Sequence, residues 1–390
     1  MIDKVVFIGY QPLTEKVKED FYFQNLKENG IAIEYWDLSD IFFKGIFNYQ
    51  LDEDFVFKIK SYKILEDLIN RQNILNTLFL SNITFEYRVL KLYKILSMYK
   101  CKTSFIARGA LPLPIANSRV GILREKIKKV LKFKTLFGFI RNKYAFFLKK
   151  KGIINYHEVV FRAGEKGLQT IGIGSDIENQ KSKIININSF DYDKYVETKN
   201  SKKLLPNKYC IFLDDYLPLH PDFEMLKIRT IEPNEYYDKL NHFFDLLEDK
   251  FNIEVVIAAH PKADKYRERD FYNKRKVIFN KSPELTKHAE FVLIHCSTSV
   301  SFAVLNKKPI ITLTSNAIKK VMPNYFNFIT HFSKILDTEL INIDEIVSAK
   351  IHLPTLNTSK YTEYTYKYLT SLNSQDRISS EIFTETILKL

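Results

Sequence analysis

The first half of the chain alternates short apolar runs with longer segments in which apolar residues recur every three or four positions. A run of about four to eight apolar residues is typical of a strand that is buried on both faces. Helices between such strands connect parallel neighbours, so the pattern predicts an α/β domain with a doubly wound parallel sheet. The predicted strands cover residues 5–9, 31–36, 76–80, 103–107, 158–161, 170–174 and 184–187, and residues 14–29 are predicted to be helical.

The pattern restarts near residue 200, after the polar segment 198–203, and predicts a second doubly wound (Rossmann-like) domain. A chain of 390 residues is also too long for one ordinary core. We place the domains at residues 1–200 and 201–355, and we expect C-terminal helices over residues 356–390 to pack back across the interdomain seam. Strands are predicted at residues 209–213, 254–258, 277–279, 291–294 and 309–313, and helices at residues 235–250, 265–273, 300–305, 360–371 and 375–390.

Composition narrows the class of protein. Apolar residues make up 45% and aromatic residues 14% of the chain, which fits a globular protein. The three cysteines, Cys101, Cys210 and Cys296, are odd in number and far apart, so we expect a reducing compartment without disulfide bonds or a cysteine metal site. The N-terminus lacks signal-peptide features, and no apolar run approaches the roughly 20 residues that cross a bilayer. We therefore expect a cytoplasmic protein.

The net charge of +13 is concentrated in residues 120–151, where eleven basic residues accompany one acid, Glu125. Apolar residues at helical spacing predict an amphipathic helix pair, with a turn or kink at Gly138, inserted before the last strands of the first domain. Such a segment can lie on an anionic membrane surface. The alternatives are an ordinary hairpin packed on the domain and a nucleic-acid patch. No recognised nucleic-acid motif accompanies the charge, so nucleic acid is not an expected partner.

Polar side chains follow two predicted strands of the second domain. His260 ends one strand, and Pro261 disfavours helix at the preceding residue, which holds the imidazole at the strand tip. Ser297, Thr298 and Ser299 follow the other strand and precede a predicted helix, whose N-terminal N–H groups favour an anion. Ligands of open parallel sheets bind outside the carboxyl ends of the strands. The arrangement predicts a phosphate site.

Acidic residues occupy two further strand ends. Asp214 and Asp215 follow the first strand of the second domain, and a carboxylate near a hydroxyl can act as a general base. Adjacent strand residues point to opposite faces, so we expect one of them, Asp215, to enter the cleft. The alternative is a structural role for both. Glu284, at the start of a short helix, could accept hydrogen bonds from ribose hydroxyls or stabilise the first helical turn.

The order of these motifs over residues 209–315 resembles the second domain of bacterial GT-B glycosyltransferases that use CMP-activated sugars, such as sialyltransferases and nonulosonic-acid or Kdo transferases. In that group an acidic pair followed by Gly supplies the base, His-Pro binds the CMP phosphate and assists the leaving group, and a Ser/Thr-Ser pair holds the same phosphate. The resemblance implies two Rossmann-like domains facing a central cleft. Tyr216 stands where the family has Gly, which leaves the base open between Asp214 and Asp215.

The resemblance further implies transfer of a sialic acid-like nonulosonic acid or Kdo from a CMP-sugar to a bacterial surface glycan, such as lipopolysaccharide, lipooligosaccharide or capsule. The scheme needs no metal or cofactor. The glycan acceptor, lipid-linked or free, would enter from the first domain, where we assign Arg108 to it. We expect the protein to lie peripherally on the inner face of the bacterial inner membrane. The implied donor-binding residues are His260, Pro261, Glu284, Ser297, Thr298 and Ser299.

Two other functions remain open at this point. One is a polyol-phosphate transferase resembling the teichoic-acid polymerases, which also use cytidine nucleotides and carry His-Pro and Ser-Ser elements. The other is a non-catalytic nucleotide- or glycan-binding protein on the same two-domain scaffold. Within the transferase interpretation, a UDP-sugar donor is a further alternative.

Overall fold

The computed structural model of the chain describes residues 1–45, 47, 51–112, 133–172, 174–225, 228–347 and 350–390. These residues form two compact units. The first unit holds residues 1–110, 133–190 and 370–390, and the second holds residues 111–112 and 191–369. The C-terminal residues therefore group with the first unit.

The first unit is built on a seven-stranded, wholly parallel sheet in the order β3-β2-β1-β4-β5-β6-β7. The order reverses beside β1, as in a doubly wound fold. Side chains alternate between the faces of each strand, so Val6 and Ile8 join one core while Val5 and Phe7 join the other. The strands are β1 Lys4–Gly9, β2 Ala32–Asp37, β3 Val56–Lys58, β4 Thr77–Ser81, β5 Lys102–Ala107, β6 Val159–Ala163 and β7 Lys183–Ile187.

Helices cover both faces of this sheet. Trp36 packs edge to face on Phe79 in one core, at a centroid distance of 5.6 Å, and Phe383 of the last helix packs on Phe161 in the other. The helices of this unit before residue 190 are α1 Glu15–Asp20, α2 Phe23–Glu28, α3 Ser39–Phe42, α4 Tyr62–Asn70, α5 Leu90–Met98, α6 Phe133–Lys150 and α7 Ser175–Lys181.

The second unit has a six-stranded parallel sheet in the order β10-β9-β8-β11-β12-β13. Its order reverses beside β8, so the carboxyl ends of β8, β9 and β11 border one crevice. Its strands are β8 Tyr209–Leu213, β9 Glu254–Ala259, β10 Val277–Phe279, β11 Val292–Ile294, β12 Ile310–Thr314 and β13 Glu339–Asn342. Among the described residues, the remaining α-helices are α8 Phe190–Thr198, α9 Pro221–Met225, α10 Pro233–Phe251, α11 Lys265–Glu268, α12 Ser282–His288, α13 Val300–Leu305, α14 Asn316–Val321, α15 Pro323–Leu336, α16 Thr358–Tyr364 and α17 Ser379–Leu388.

The prediction of two doubly wound parallel-sheet domains is confirmed, but three predicted elements are wrong. The helix over residues 14–29 is broken in two because Tyr22 is left-handed, at φ 58°. In place of the strand predicted over residues 170–174, the chain forms a 3₁₀ helix at Gly167–Ile171. Its apolar residues Leu168 and Ile171 belong to a small buried cluster. The helix over residues 265–273 ends at Glu268, because the next residue, Arg269, is extended, at φ −140° and ψ 136°.

The basic segment is described only in its second half, since residues 120–132 lie outside the described residues. The helix α6 runs through Gly138 without interruption, so the predicted turn there is wrong. One side of α6 packs on the first unit through Ala145 and Leu148. Next to them, Lys149 is only 2% exposed and forms an ion pair with the fully buried Glu178.

Glu178 also forms hydrogen bonds with other neighbours, in addition to its ion pair with Lys149. Its Oε1 accepts hydrogen bonds from the His157 backbone N–H at 2.7 Å and from the Ser182 hydroxyl at 2.7 Å. The Lys149 ammonium also lies 4.8 Å from the centroid of the Phe85 ring, within cation–π range. This basic residue of α6 therefore attaches the helix to the domain.

Replacing Lys149 by Met should strongly destabilise the protein, because Glu178 would stay buried without its cation. We expect a loss of about 3 to 5 kcal/mol in the free energy of unfolding. The measurement is denaturant unfolding, with the exposed neighbour Lys150→Met as control. Equal stability of the two variants would show that the buried ion pair does not hold α6 in place.

Candidate functional site

Asp214 and Asp215 follow β8 and lie in different environments. Asp214 is 4% exposed, whereas Asp215 is partly exposed. The Asp215 Oδ2 atom accepts hydrogen bonds from the Cys296 backbone N–H at 3.0 Å and from the Tyr325 hydroxyl at 2.6 Å. Cys296 follows β11 and Tyr325 lies on α15, so the Asp215 carboxylate connects three elements.

Asp214 is the more buried of the two carboxylates, and it lines a pocket that His260 also lines and Asp215 does not. Its Oδ1 accepts the Tyr216 N–H at 3.0 Å, while no hydrogen bond reaches Oδ2 from the part of the chain that the structure describes. Burial, with the adjacent Asp215 carboxylate, raises the pKa of Asp214 to about 7, although the nearby hydroxyls of Tyr266 and Tyr272 act to lower it. Asp214 is therefore partly protonated at neutral pH.

Tyr216 adopts a conformation that usually requires glycine. Its φ is 55°, in the left-handed region, which costs a residue with a Cβ roughly 1 to 2 kcal/mol. The side chain is 2% exposed, and its ring packs edge to face on Tyr266 at 5.1 Å. The motif thus keeps a glycine-type backbone at the position where the CMP-sugar transferases have Gly.

His260 lies directly after β9 with its ring orientation fixed. Its Nδ1 accepts the Lys262 N–H at 3.1 Å, so the neutral imidazole carries its proton on Nε2. Burial, and then the neighbouring His220, lower the pKa of His260 to about 4. At neutral pH the residue therefore offers a neutral Nε2–H donor.

A pocket lies outside the ends of β8 and β9. It brings together His260 and Ser299, which sequence analysis assigned to one phosphate. Asn280, directly after β10, Ser282, at the start of α12, and Lys194 of α8 add further polar groups. The pocket is lined by Lys194, Leu213, Asp214, Ala258, Ala259, His260, Pro261, Asn280, Ser282, Pro283, Ser299 and Phe302.

The three hydroxyl residues do not converge as expected. Ser299 lines the pocket, but Thr298 is exposed and Ser297 accepts the Ser299 N–H at 3.4 Å. They form a tight turn, closed by the Val300 N–H bond to the Ser297 carbonyl at 3.2 Å, which sends consecutive side chains in different directions. The helix α13 has only six residues, and Ser299 makes no side-chain capping bond.

Two other predicted site residues do not line this pocket. Glu284, on α12, is bound to Lys281 at 2.8 Å and does not line the pocket, although Ser282 and Pro283 of the same helix do. Arg108, in the first unit, is 7% exposed, lies 3.8 Å from the Phe190 ring centroid and donates to the Tyr22 hydroxyl. The predicted roles of Glu284 and Arg108 stay predictions.

Sequence analysis missed several residues around the site. His220 packs against His260, and its place before Pro221 repeats the His-Pro pair, so this signal was available. Tyr325 carries no such signal, because its bond to Asp215 spans 110 positions and depends on the fold. Asn280 and Lys194 lie in polar segments that resemble ordinary loops or solvated helix faces.

Several known structures align with this chain over most of its length. The UDP-GlcNAc 2-epimerase from Methanocaldococcus jannaschii aligns over 100% of both chains with 13% identity and a TM-score of 0.50. MurG from Acinetobacter baumannii aligns over 100% of both chains at 9% identity with a TM-score of 0.43. The wall teichoic acid polymerase TagF aligns over 99% of this chain and 88% of its own at 12% identity, with a TM-score of 0.49.

The two parallel sheets and the alignment with the epimerase give the class of the protein: it has the GT-B fold of two Rossmann-like domains. At this identity the likeness shows the fold alone. No family model and no curated protein matches the sequence.

Asp214 should make stability fall as the pH rises. Between the ordinary pKa of 3.8 and the raised value of about 7, the folded protein holds a proton that the unfolded chain has released. Asparagine has no proton to release, so Asp214→Asn should not lose stability in this way as the pH rises. The variant should therefore gain stability relative to the unmodified protein between pH 4 and pH 8. Unfolding curves across that range test it. Asp264→Asn, whose side chain is 84% exposed, is the control and should parallel the unmodified protein. Parallel curves for Asp214→Asn would contradict the raised pKa.

Proposed function

We propose that the protein is a glycosyltransferase that moves a sugar from a CMP-activated donor to a glycan acceptor. The observation that carries this proposal is the pocket that His260 and Ser299 share, outside the strand ends that also bear the acidic pair. The motif order resembles that of CMP-sugar transferases, for which the sugar is a sialic acid-like nonulosonic acid or Kdo. A surface glycan such as lipopolysaccharide or capsule is the proposed acceptor.

In this proposal the donor phosphate lies against His260. The Nε2–H donates to a phosphate oxygen, and the Ser299 hydroxyl is the second donor from the same pocket. Charge builds on the phosphate as its bond to the anomeric carbon breaks. One preorganised donor aimed at such a developing charge is worth about 3 kcal/mol, or roughly 100- to 1000-fold in rate. The scheme uses no metal.

Asp215 is the proposed base. Both of its hydrogen bonds fall on Oδ2, which leaves Oδ1 for the acceptor hydroxyl. The acceptor oxygen attacks the anomeric carbon, its proton passes to Asp215, and the bond electrons leave with CMP. Asp214 is the poorer choice, because it is buried and its raised pKa keeps it partly protonated at neutral pH.

The donor assignment predicts that CMP raises the melting temperature of the protein more than UDP or GDP does. His260→Ala should weaken CMP binding and slow transfer together, because it removes the phosphate donor. His242→Ala, an exposed histidine on α10, is the control and should behave like the unmodified protein. An equal or reversed nucleotide ranking would remove the CMP assignment, and a phosphodiester product would favour the polyol-phosphate transferase.

The base assignment predicts that Asp215→Asn abolishes transfer while CMP still binds, because the amide cannot take up the acceptor proton. Asp214→Asn should retain transfer. Initial rates and CMP titrations on both variants make the comparison. Loss of transfer in Asp214→Asn alone would move the base to that residue, and retained transfer in both variants would show that neither carboxylate is the base. Binding of CMP without any transfer by the unmodified protein would favour a non-catalytic binding protein.

We further propose that α6 rests on an anionic membrane surface, which would place the protein peripherally on the inner face of the bacterial inner membrane. Phe139, Ile140, Tyr144 and Phe147 are 51%, 54%, 48% and 52% exposed, an unusual density of exposed apolar side chains on one helix. The exposed basic residues Lys143, Lys150 and Lys151 accompany them, and each cation near such a surface contributes about 1 kcal/mol. No helix among the described residues is long and apolar enough to cross a bilayer.

The membrane proposal predicts that Ile140→Asp combined with Phe147→Asp abolishes co-sedimentation with phosphatidylglycerol vesicles, because the change puts charge on the inserting face. Both side chains are about half exposed, so folding should survive. Leu75→Asp, at a site 73% exposed elsewhere in the first unit, is the matched control and should still bind. Unchanged sedimentation of the double variant would end the proposal.

A further inference from the structure

The second unit contains two His-Pro turns of the same construction. His220 precedes Pro221 as His260 precedes Pro261. The Nδ1 atom of His220 accepts the Asp222 N–H at 3.1 Å, and the Nδ1 atom of His260 accepts the Lys262 N–H at 3.1 Å. In each turn the imidazole therefore accepts from the amide two residues ahead, and each neutral ring carries its proton on Nε2.

The two turns are joined to each other. The Lys262 ammonium lies 2.8 Å from Asp222 Oδ1, so the residues that fix the two rings form an ion pair. The rings meet edge to face, with centroids 4.8 Å apart and planes at 71°. On its other side His220 contacts the Phe223 ring, at a centroid distance of 5.7 Å. His260 thus lies against an imidazole that is itself held in place.

We propose that His220 is a positioning residue for His260, and that its ring fixes the plane of the His260 imidazole so that Nε2–H faces the donor phosphate. This inference rests on the proposed function, in which His260 binds that phosphate. His260 lines the pocket and His220 does not, so His220 acts through its neighbour. The geometry alone supports it, because the backbone bond at Nδ1 holds one edge of the His260 ring and the edge-to-face contact with His220 restrains the ring from turning about that bond.

Electrostatics favours the same arrangement. The charged and titratable groups around His260 are His220, Lys262, Asp215 and Asp222. Burial is the main cause that lowers the pKa of His260, and His220 and Lys262 add to it against the two carboxylates. Burial likewise lowers the pKa of His220. Both rings are therefore neutral near pH 7, and no repulsion between two cations disturbs their contact.

Two substitutions of His220 distinguish the effect of its ring from the effect of the backbone turn that its Nδ1 atom stabilises. His220→Asn keeps an acceptor for the Asp222 N–H, as in an Asx turn, but removes the ring. His220→Phe keeps a flat ring beside His260 and removes the acceptor. We expect the Asn variant to lose on the order of 10- to 100-fold in kcat, with KM for the donor little changed, and the Phe variant to lose far less. His242→Asn, on the exposed face of α10, is the control for a histidine substitution.

A nitrogen NMR titration of the His260 ring gives a readout that does not depend on activity. The unmodified protein should show the Nε2–H tautomer, and His220→Asn should keep this tautomer, which the Lys262 N–H fixes, but show an upward shift of the His260 pKa. Unmodified kcat and ring signals in His220→Asn would overturn the inference, as would an equal loss in the Asn and Phe variants. If the unmodified protein neither binds CMP nor transfers a sugar, the proposed function fails instead, and the ring signals still report whether His220 orients His260.

Discussion

The site depends on one carboxylate that joins neighbouring parts of the second sheet. Asp215 extends from the end of β8 and accepts hydrogen bonds from the backbone after β11 and from Tyr325 on α15. Because the sheet order reverses at β8, these groups would otherwise diverge around the crevice. The bonds to Asp215 fix the backbone of the turn that carries Ser299 relative to the strand end that carries the acidic pair. A carboxylate held in this way has little freedom to move relative to the turn that carries Ser299.

The pocket combines neutral hydrogen-bond donors with one cation, Lys194. Burial keeps His260 uncharged and keeps Asp214 partly protonated, whereas Asp215 retains some contact with water. Besides Lys194, the candidate site therefore presents directed hydrogen-bond donors from neutral side chains. Donors of this kind favour a group whose charge grows during a reaction over one that is already fully charged.

The sequence was sufficient for the parts of the fold that repeat a local rule. Buried strands such as β1 and β8 are apolar along their whole length, and a parallel sheet delivers their carboxyl ends to one edge, so the position of His260 was predictable. The short edge strands β3 and β13 and the break at Tyr22 were not, because edge pairing and left-handed backbone depend on neighbours distant in the chain. The same holds within the site. A sequence motif shows that Ser297, Thr298 and Ser299 are adjacent, but the turn decides that Ser299 alone of the three reaches the pocket.

The left-handed Tyr216 has a consequence for the acidic pair that precedes it. A glycine would adopt this backbone without strain, but it would leave a gap beside the tyrosines around Asp214. Water entering that gap would hydrate the carboxylate and lower its pKa, which burial raises. The Tyr216 ring, itself 2% exposed, fills this space against Tyr266. In this chain, a residue that is unfavourable for the local backbone thus contributes to the burial that distinguishes Asp214 from its neighbour Asp215.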